Sequence, residues 1–335
     1  MTPVECRLLQ RIQVSFPIST DPYGELAAAV GCAGGEAYER VARWRGQGLI
    51  RRLGPIYDPA ALGRSATLCA GQCPPSELSR VARALMRFDE VTHAYLREGQ
   101  GTNLNLWFTL SASSRAALDE QVKAVERRMR LGPVISLPTR RVFKVRAVFD
   151  LEAGEKVEGA RSKVEGRRKG KTSGALPPFD LRPSTFDLAL VAATQRGLPD
   201  GLDPYGQVAA GLGLDRRRVL EALRGMLQSG VIRRVGAVLD QRQLGLRGNC
   251  LVAWRVPADR VEEAGLALAA EPAISHCCER DTAPRWPYNI YTMVHAADEG
   301  ACVQLLEGLA RQVGQPPRAV LFTRRELKKA PPRYA

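Results

Sequence analysis

Between residues 184 and 330 the apolar positions change period in a fixed order. FDLALVAATQ (186–195) is apolar at helical spacing, and GQVAAGLG (206–213) reads as a short helix closed by glycine. RRRVLEALRGMLQSG (216–230) follows a capping Asp215 and places Val219, Leu220, Leu223 and Leu227 on one face. VIRRVGAVLD (231–240) then alternates as a hairpin strand. Short helix, glycine-containing turn, longer helix and wing form the winged helix-turn-helix pattern. Further on, RGNCLVAWRVP (247–257) predicts a strand and ADRVEEAGLALAAEP (258–272) an amphipathic helix. AISHCCERD (273–281) and YNIYTMVHA (288–296) predict strands, DEGACVQLLEGLARQVG (298–314) a helix, and RAVLFTRREL (318–327) a last strand. The order β-α-β-β-α-β is ferredoxin-like.

The same series occurs once before. Asp21-Pro22-Tyr23-Gly24 returns as Asp203-Pro204-Tyr205-Gly206, and LIRRLGPIYDPAALG (49–63) returns as VIRRVGAVLDQRQLG (231–245), both at one shift. THAYLRE (92–98) aligns with SHCCERD (275–281), Asn105-Leu106-Trp107 with Asn289-Ile290-Tyr291, and Thr139-Arg140-Arg141 with Thr323-Arg324-Arg325. The chain therefore reads as an α+β tandem repeat. Winged helix domains are expected over 1–60 and 185–242, and ferredoxin-like domains over 61–150 and 243–335. A basic, glycine-rich flexible linker is expected over 151–184.

Composition narrows the partners. Forty-nine Lys and Arg against 35 Asp and Glu give a net charge of +14, so the chain should seek polyanions: nucleic acid, an anionic surface, or a small polycarboxylate. No apolar run is long enough for a transmembrane helix, and the first 16 residues lack the unbroken apolar centre of a secretory signal. A cytoplasmic protein that does not engage membranes is expected. The eight cysteines show no repeated pair spacing and read as buried small hydrophobes rather than a zinc site. Phosphate-loop and nucleophile-elbow motifs are absent.

A winged helix followed by a ferredoxin-like domain is similar to the Lrp/AsnC amino-acid-responsive regulators, and the run Arg216-Arg217-Arg218 would suit phosphate contacts. Fold alone does not fix function. The matching helix of copy one, GGEAYERVARWRGQG (34–48), carries Glu36 and Glu39 where base-reading residues would sit, and carboxylates there repel phosphate. The polar residues shared by the copies lie instead on the predicted strands of the second domains.

Those strands carry a sharper likeness. THAYLRE with NLNLWFTL (103–110), and SHCCERDTAPRWPYNIYTMVHA (275–296), resemble the siroheme decarboxylases. The resemblance extends to both wings and both closing TRR strands, so it spans nearly the whole chain except the linker. It matches the fused form of d1-type heme biosynthesis, in which two unlike subunits share one chain. It implies an Lrp/AsnC-like fold turned to enzymatic use, a carboxy-lyase removing CO2 from two acetate side chains of siroheme to give 12,18-didecarboxysiroheme. Siroheme is then the partner, and its own iron makes a separate cofactor unnecessary. An internal pseudo-dimer, a homodimer through exposed sheet faces, contacts with other proteins of the pathway and no specific DNA are the further expectations. The alternative is an Lrp/AsnC-type DNA-binding regulator, including a tetrapyrrole-responsive one. Cys278 departs from the family pattern, which has an aromatic there, as copy one has Tyr95.

The chemistry selects residues. Siroheme is a planar macrocycle with many carboxylates, and arginine pairs with a carboxylate through two hydrogen bonds. Arg97 and Arg280 hold equivalent strand positions, and Arg285, Arg324 and Arg325 are further candidates. Arg51, Arg52, Arg233 and Arg234 lie in the wings and rank lower. Any of these can equally be a solvated strand end. Losing CO2 leaves carbanion character on a methylene that must then be protonated, a task suited to histidine. The three histidines, His93, His276 and His295, all fall on predicted strands, and His295 has no counterpart in copy one. His276 and His295 are assigned as proton donor and charge stabiliser, with ligation of the substrate iron by one of them left open, and His93 as substrate-binding. Copy two then holds the working site and copy one completes the scaffold. Trp286, Tyr288 and Tyr291 are candidates for the macrocycle wall or for strand core, and Asn289 for a carboxylate contact or a turn cap.

Overall fold

The computed structural model describes residues 1–149, 151, 184–330 and 333–334, so the linker lies outside the described residues except at its two ends. Copy one runs α1 (Pro3–Val14), α2 (Pro22–Val30), α3 (Gly34–Gly46), β1 (Ile50–Tyr57), β2 (Ser65–Gly71), α4 (Leu78–Met86), β3 (Val91–Gly99), β4 (Leu106–Ala112), α5 (Arg115–Met129) and β5 (Ile135–Val145). Copy two follows in the same order: α6 (Thr185–Thr194), α7 (Pro204–Leu212), α8 (Arg216–Ser229), β6 (Ile232–Leu239), β7 (Gly248–Trp254), α9 (Val261–Ala270), β8 (Ile274–Arg280), β9 (Ile290–Ala296), α10 (Glu299–Gln312) and β10 (Arg318–Lys329).

The repeated Asp-Pro-Tyr-Gly string is a helix start. Asp21 and Asp203 cap α2 and α7 by accepting from Gly24 N (2.9 Å) and Gly206 N (2.8 Å), and each proline takes the first helical turn, where no N–H is needed. The glycine leaves room for the cap, since a Cβ at position 24 or 206 would sit about 2 Å from the capping carboxylate as it is placed. Tyr23 and Tyr205 are both buried in one apolar core that draws Leu8, Ile12, Trp44 and Leu53 from copy one and Leu190, Leu220, Leu223 and Leu239 from copy two. In α8 the buried face uses Met226, with Leu227 left outward, a one-residue rotation from the sequence reading.

The two wings pair with each other. β1 and β6 form an antiparallel ribbon with Gly54 opposite Gly236. Each copy's wing reaches the other's helices: Arg52 donates to Gln195 O (2.8 Å), and Arg234 donates to Gln13 O. A Cβ on Gly236 would meet the carbonyl oxygens of Ile12 and Gln13 at 2.7 Å. Gly236→Ala is therefore expected to cost about 1–3 kcal/mol, the range for overpacking a filled site. A lowered urea midpoint with unchanged slope would check it.

The remaining eight strands close into one barrel in the order β10-β3-β4-β2-β5-β8-β9-β7. Within each copy the order is ferredoxin-like, but the closing strands cross over: β5 pairs with β8 of copy two, and β10 pairs with β3 of copy one. The internal pseudo-dimer is thus a continuous hydrogen-bonded sheet. The sheet faces expected to remain open for a second chain are used up, one turned inward and the other covered by α4, α5, α9 and α10. Among the described residues no helix is long and apolar enough to cross a membrane.

Candidate active site

Strand alternation sorts the second strands into two faces. On β3, Val91 and Ala94 pack into the helix-side core, which leaves His93, Tyr95 and Arg97 inward. On β8, Ile274 and Cys277 face the helices, which leaves His276, Cys278 and Arg280 inward. The His93 and Tyr95 rings stack at 6.4 Å, and the Arg97 guanidinium lies 4.9 Å from the Tyr95 ring centre. β9 contributes Tyr291, Met293 and His295 from the same side. One end of the barrel interior is plugged by Leu68, Trp107, Leu137, Leu251, Trp286 and Leu321. Beyond the plug come the two arginines, and then the three histidines toward the wing layer. His93, Tyr95 and His276 retain partial exposure inside a closed barrel, so this end of the interior is a water-accessible chamber.

The chamber is cationic and unbalanced. Arg97 donates to Thr323 Oγ1 (2.6 Å), and Arg280 to Leu137 O (3.1 Å) and Thr139 Oγ1 (2.9 Å). Neither has a carboxylate partner among the described residues, and the Nε of each is buried without any acceptor. Burial pulls Arg97 down to about 10 and also lowers Arg280. A buried cation without its counter-charge costs several kcal/mol, and these two arginines stand at equivalent places in the two copies.

Ser275 joins two of the histidines. Its Oγ lies 2.8 Å from His276 Nδ1 and 2.7 Å from His295 Nε2. The edge of Phe149 packs on His295 with ring centres 5.5 Å apart, and His295 Nδ1 is buried without a partner. In copy one Thr92 stands for Ser275, 3.0 Å from His93 Nδ1. All three imidazoles are held neutral at pH 7. Burial is the first cause in each case and nearby cations, Lys329 among them, the next; His93 and His295 fall to about 3 and His276 to about 4. The unfolded chain would take protons at these groups below about 6.5 while the folded chain does not. Stability from this source is full above that pH and is lost as the pH falls from 6.5 toward 4, with a slope of at most about 4 kcal/mol per pH unit for three groups. Urea midpoints at pH 7 and pH 5 check this, and an unchanged midpoint would contradict it.

The structure brings together His93, His276, His295, Arg97 and Arg280, and it draws them from both copies into one chamber rather than from copy two alone. Other candidates lie elsewhere. Trp286, Tyr288 and Tyr291 form one cluster with Trp107: Trp286 Nε1 donates to Tyr291 Oη (2.8 Å), and the Trp286 ring lies 4.7 Å from Tyr288 and 5.4 Å from Trp107. They make the floor plug, and only Tyr291 comes near Arg280, at 5.8 Å. Asn289 holds both backbone groups of Val256 (2.9 and 2.8 Å), as Asn105 holds Cys73, so its amide braces a strand and is not free for a carboxylate. Arg285 and Arg325 are exposed, and Arg324 is turned outward into ion pairs with Glu98 and Glu299, because the bulge after Thr323 carries this stretch off the inner face. Of the run suited to phosphate contacts, Arg216 pairs with Asp203, Arg217 with Glu221, and Arg218 lies over Phe186.

Ser275 and Thr92 are the residues that the sequence reading missed. Their signal was present, since both copies place a hydroxyl directly before the strand histidine. Lys329 carried no such signal, because only the cross-copy pairing sets it opposite His93.

Comparison with known proteins decides the family. An AsnC-like ligand binding domain matches at 61–144 and again at 243–328, and a siroheme decarboxylase NirDL-like HTH domain matches at 5–51 and 187–233. The siroheme decarboxylase NirDL subunit of Paracoccus pantotrophus is 32% identical over 97% of this chain and 95% of its own. The chain belongs to the siroheme decarboxylase family. The siroheme decarboxylase of Hydrogenobacter thermophilus is 29% identical over 98% of this chain and 94% of its own. The crystal structure of the siroheme decarboxylase NirDL in complex with an iron-uroporphyrin III analogue matches with a TM-score of 0.69 at 26% identity, covering 98% of this chain and 94% of that one. Within the siroheme decarboxylase family this chain is of the fused type, with both unlike halves on one polypeptide.

Proposed function

We propose that this chain is a carbon-carbon lyase that takes siroheme and removes CO2 from two of its acetate side chains, giving 12,18-didecarboxysiroheme for d1-type heme. The observation that carries the reading is the pair of inward guanidiniums, Arg97 buried and Arg280 half-buried, without carboxylate partners among the described residues, in a chamber that also holds three neutral histidines. A small polycarboxylate supplies the missing counter-charge. An inner wall bearing Tyr95 and Met293 offers flat and polarisable surface to a macrocycle. The ligand in the solved NirDL complex, an iron-uroporphyrin III analogue, is of the same class.

Each step asks for one capacity that these side chains have. The arginines hold carboxylates and fix the ring in register. The C–C bond between the methylene and carboxylate carbons breaks, CO2 leaves, and the electron pair remains on the methylene carbon, delocalised into the macrocycle. That carbon then takes one proton and becomes a methyl group. We assign the donor to the Ser275-bridged pair His276 and His295, with His93 facing the substrate from copy one. A polyanion beside these imidazoles favours their charged form, so substrate arrival itself turns neutral rings into acids. The substrate brings its own iron, and the side chains are assigned no redox step.

Anaerobic incubation with siroheme followed by mass analysis of the extracted tetrapyrrole tests the reading. Loss of two CO2 units is expected, and recovery of intact siroheme from active-site-saturated protein would overturn it.

A further inference from the structure

The pseudo-twofold relation between the copies is broken beside one histidine. A cleft of about 250 Å³ opens next to His93, lined among others by Arg64, Asp89, Glu90, Thr92, Ser111 and Tyr334. Thr92 lines this cleft, and its hydroxyl lies 3.0 Å from His93 Nδ1. Ser111 is 5% exposed, and its Oγ, buried at the cleft wall, has no hydrogen-bond partner. A buried hydroxyl with nothing to bond is costly unless water reaches it.

Copy two is shut at the same place. His295 stands where copy one has Ser111, and Pro272 and Ala273 stand where copy one has Asp89 and Glu90. Ser275 bonds both His276 and His295, and Phe149 packs in a T-shaped contact against the far His295 ring. The two copies therefore give the chamber one hydroxyl–histidine pair that touches an open cleft and one that runs into a packed wall.

Decarboxylation makes this asymmetry consequential. Each CO2 released as neutral gas leaves an electron pair on carbon, and quenching it consumes one proton, so two events draw two protons from solvent. We propose that the copy-one cleft is the proton entry of the enzyme: water in the cleft passes a proton through the Thr92 hydroxyl to His93 Nδ1, and His93 releases its other ring proton into the chamber. A neutral imidazole is suited to this because it accepts at one nitrogen while donating from the other. Thr92 acts as a relay and positioning residue. The proposal rests on the decarboxylase reading above and adds to it the route by which the chamber is recharged.

The experiment compares Thr92→Ala with wild type in anaerobic siroheme turnover. Turnover is expected to fall at least about ten-fold, with siroheme binding, followed by the absorption shift, unchanged. The solvent deuterium isotope effect should rise, added imidazole should restore rate through the space left by the side chain, and Thr92→Ser, which returns the hydroxyl, should recover turnover. Ser111→Val, which removes the unpartnered hydroxyl from the cleft wall, should reproduce the loss, and it decides the matter if Thr92→Ala folds poorly. An active wild type whose Thr92→Ala and Ser111→Val variants keep both rate and isotope effect would overturn the cleft alone. A wild type that binds siroheme and releases no CO2 would overturn the decarboxylase reading, and the cleft with it.

Discussion

Replacing both Arg97 and Arg280 with methionine is expected to make the protein more stable and to abolish its hold on siroheme. The two effects have one origin. Each guanidinium faces the barrel interior with a buried Nε that bonds nothing and, among the described residues, no carboxylate partner. Exchanging buried charges for well-packed apolar side chains of similar length typically gains about 1–4 kcal/mol. Losing a charged contact to a bound carboxylate costs about 2–5 kcal/mol each, from roughly thirty-fold to several thousand-fold in affinity. Urea unfolding and an absorption titration with siroheme read the two quantities separately. If the arginines merely braced the barrel, through Thr323 and Thr139, the double variant would instead lose stability and keep its ligand.

The second large effect belongs to the bridged histidines. His276→Ala with His295→Ala is expected to reduce turnover by about 10²–10⁴-fold, the usual contribution of a positioned acid, while siroheme affinity changes far less. A companion measurement needs no variant. Because burial and surrounding cations keep His93, His276 and His295 neutral in the empty chamber, a polyanion entering at pH 7 should bring protons with it. Binding enthalpies measured in two buffers of different ionisation enthalpy should differ, and equal values would show that the rings stay neutral. Full turnover by the double variant would remove both histidines from the chemistry.

Much of this was readable from the chain. Helical and strand periods gave the element order, and the duplication made Arg97 equivalent to Arg280 and His93 equivalent to His276. The barrel was not readable, because the partners of β5 and β10 lie in the opposite copy and no local pattern records pairing across 131 residues or more. That gap explains the misplaced candidates. Arg324 sits close in sequence to chamber residues, yet a bulge turns it to Glu98 and Glu299. The Trp-Pro-Tyr-Asn segment looked like a ligand wall because aromatics serve core and ligand alike, and only packing against Trp107 separates the two uses. That His93 and Arg97 of copy one face the same interior as His276 and Arg280 of copy two was hidden for the same reason, since a shared interior is a property of closure.

The crossed strands also settle what one half would be worth alone. Without its counterpart, a single half would present β5 or β10 as a long unpaired edge, the kind of surface that recruits foreign strands and aggregates. It would also hold half of each functional set, with one arginine and one hydroxyl–histidine pair facing empty solvent. Joining the halves on one chain makes their pairing intramolecular, so each meets the other at an effective concentration above that of free subunits. Fusion therefore acts as a stoichiometric safeguard: every half is synthesised with its one correct partner attached, and neither has to compete with a second copy of itself for the open edge.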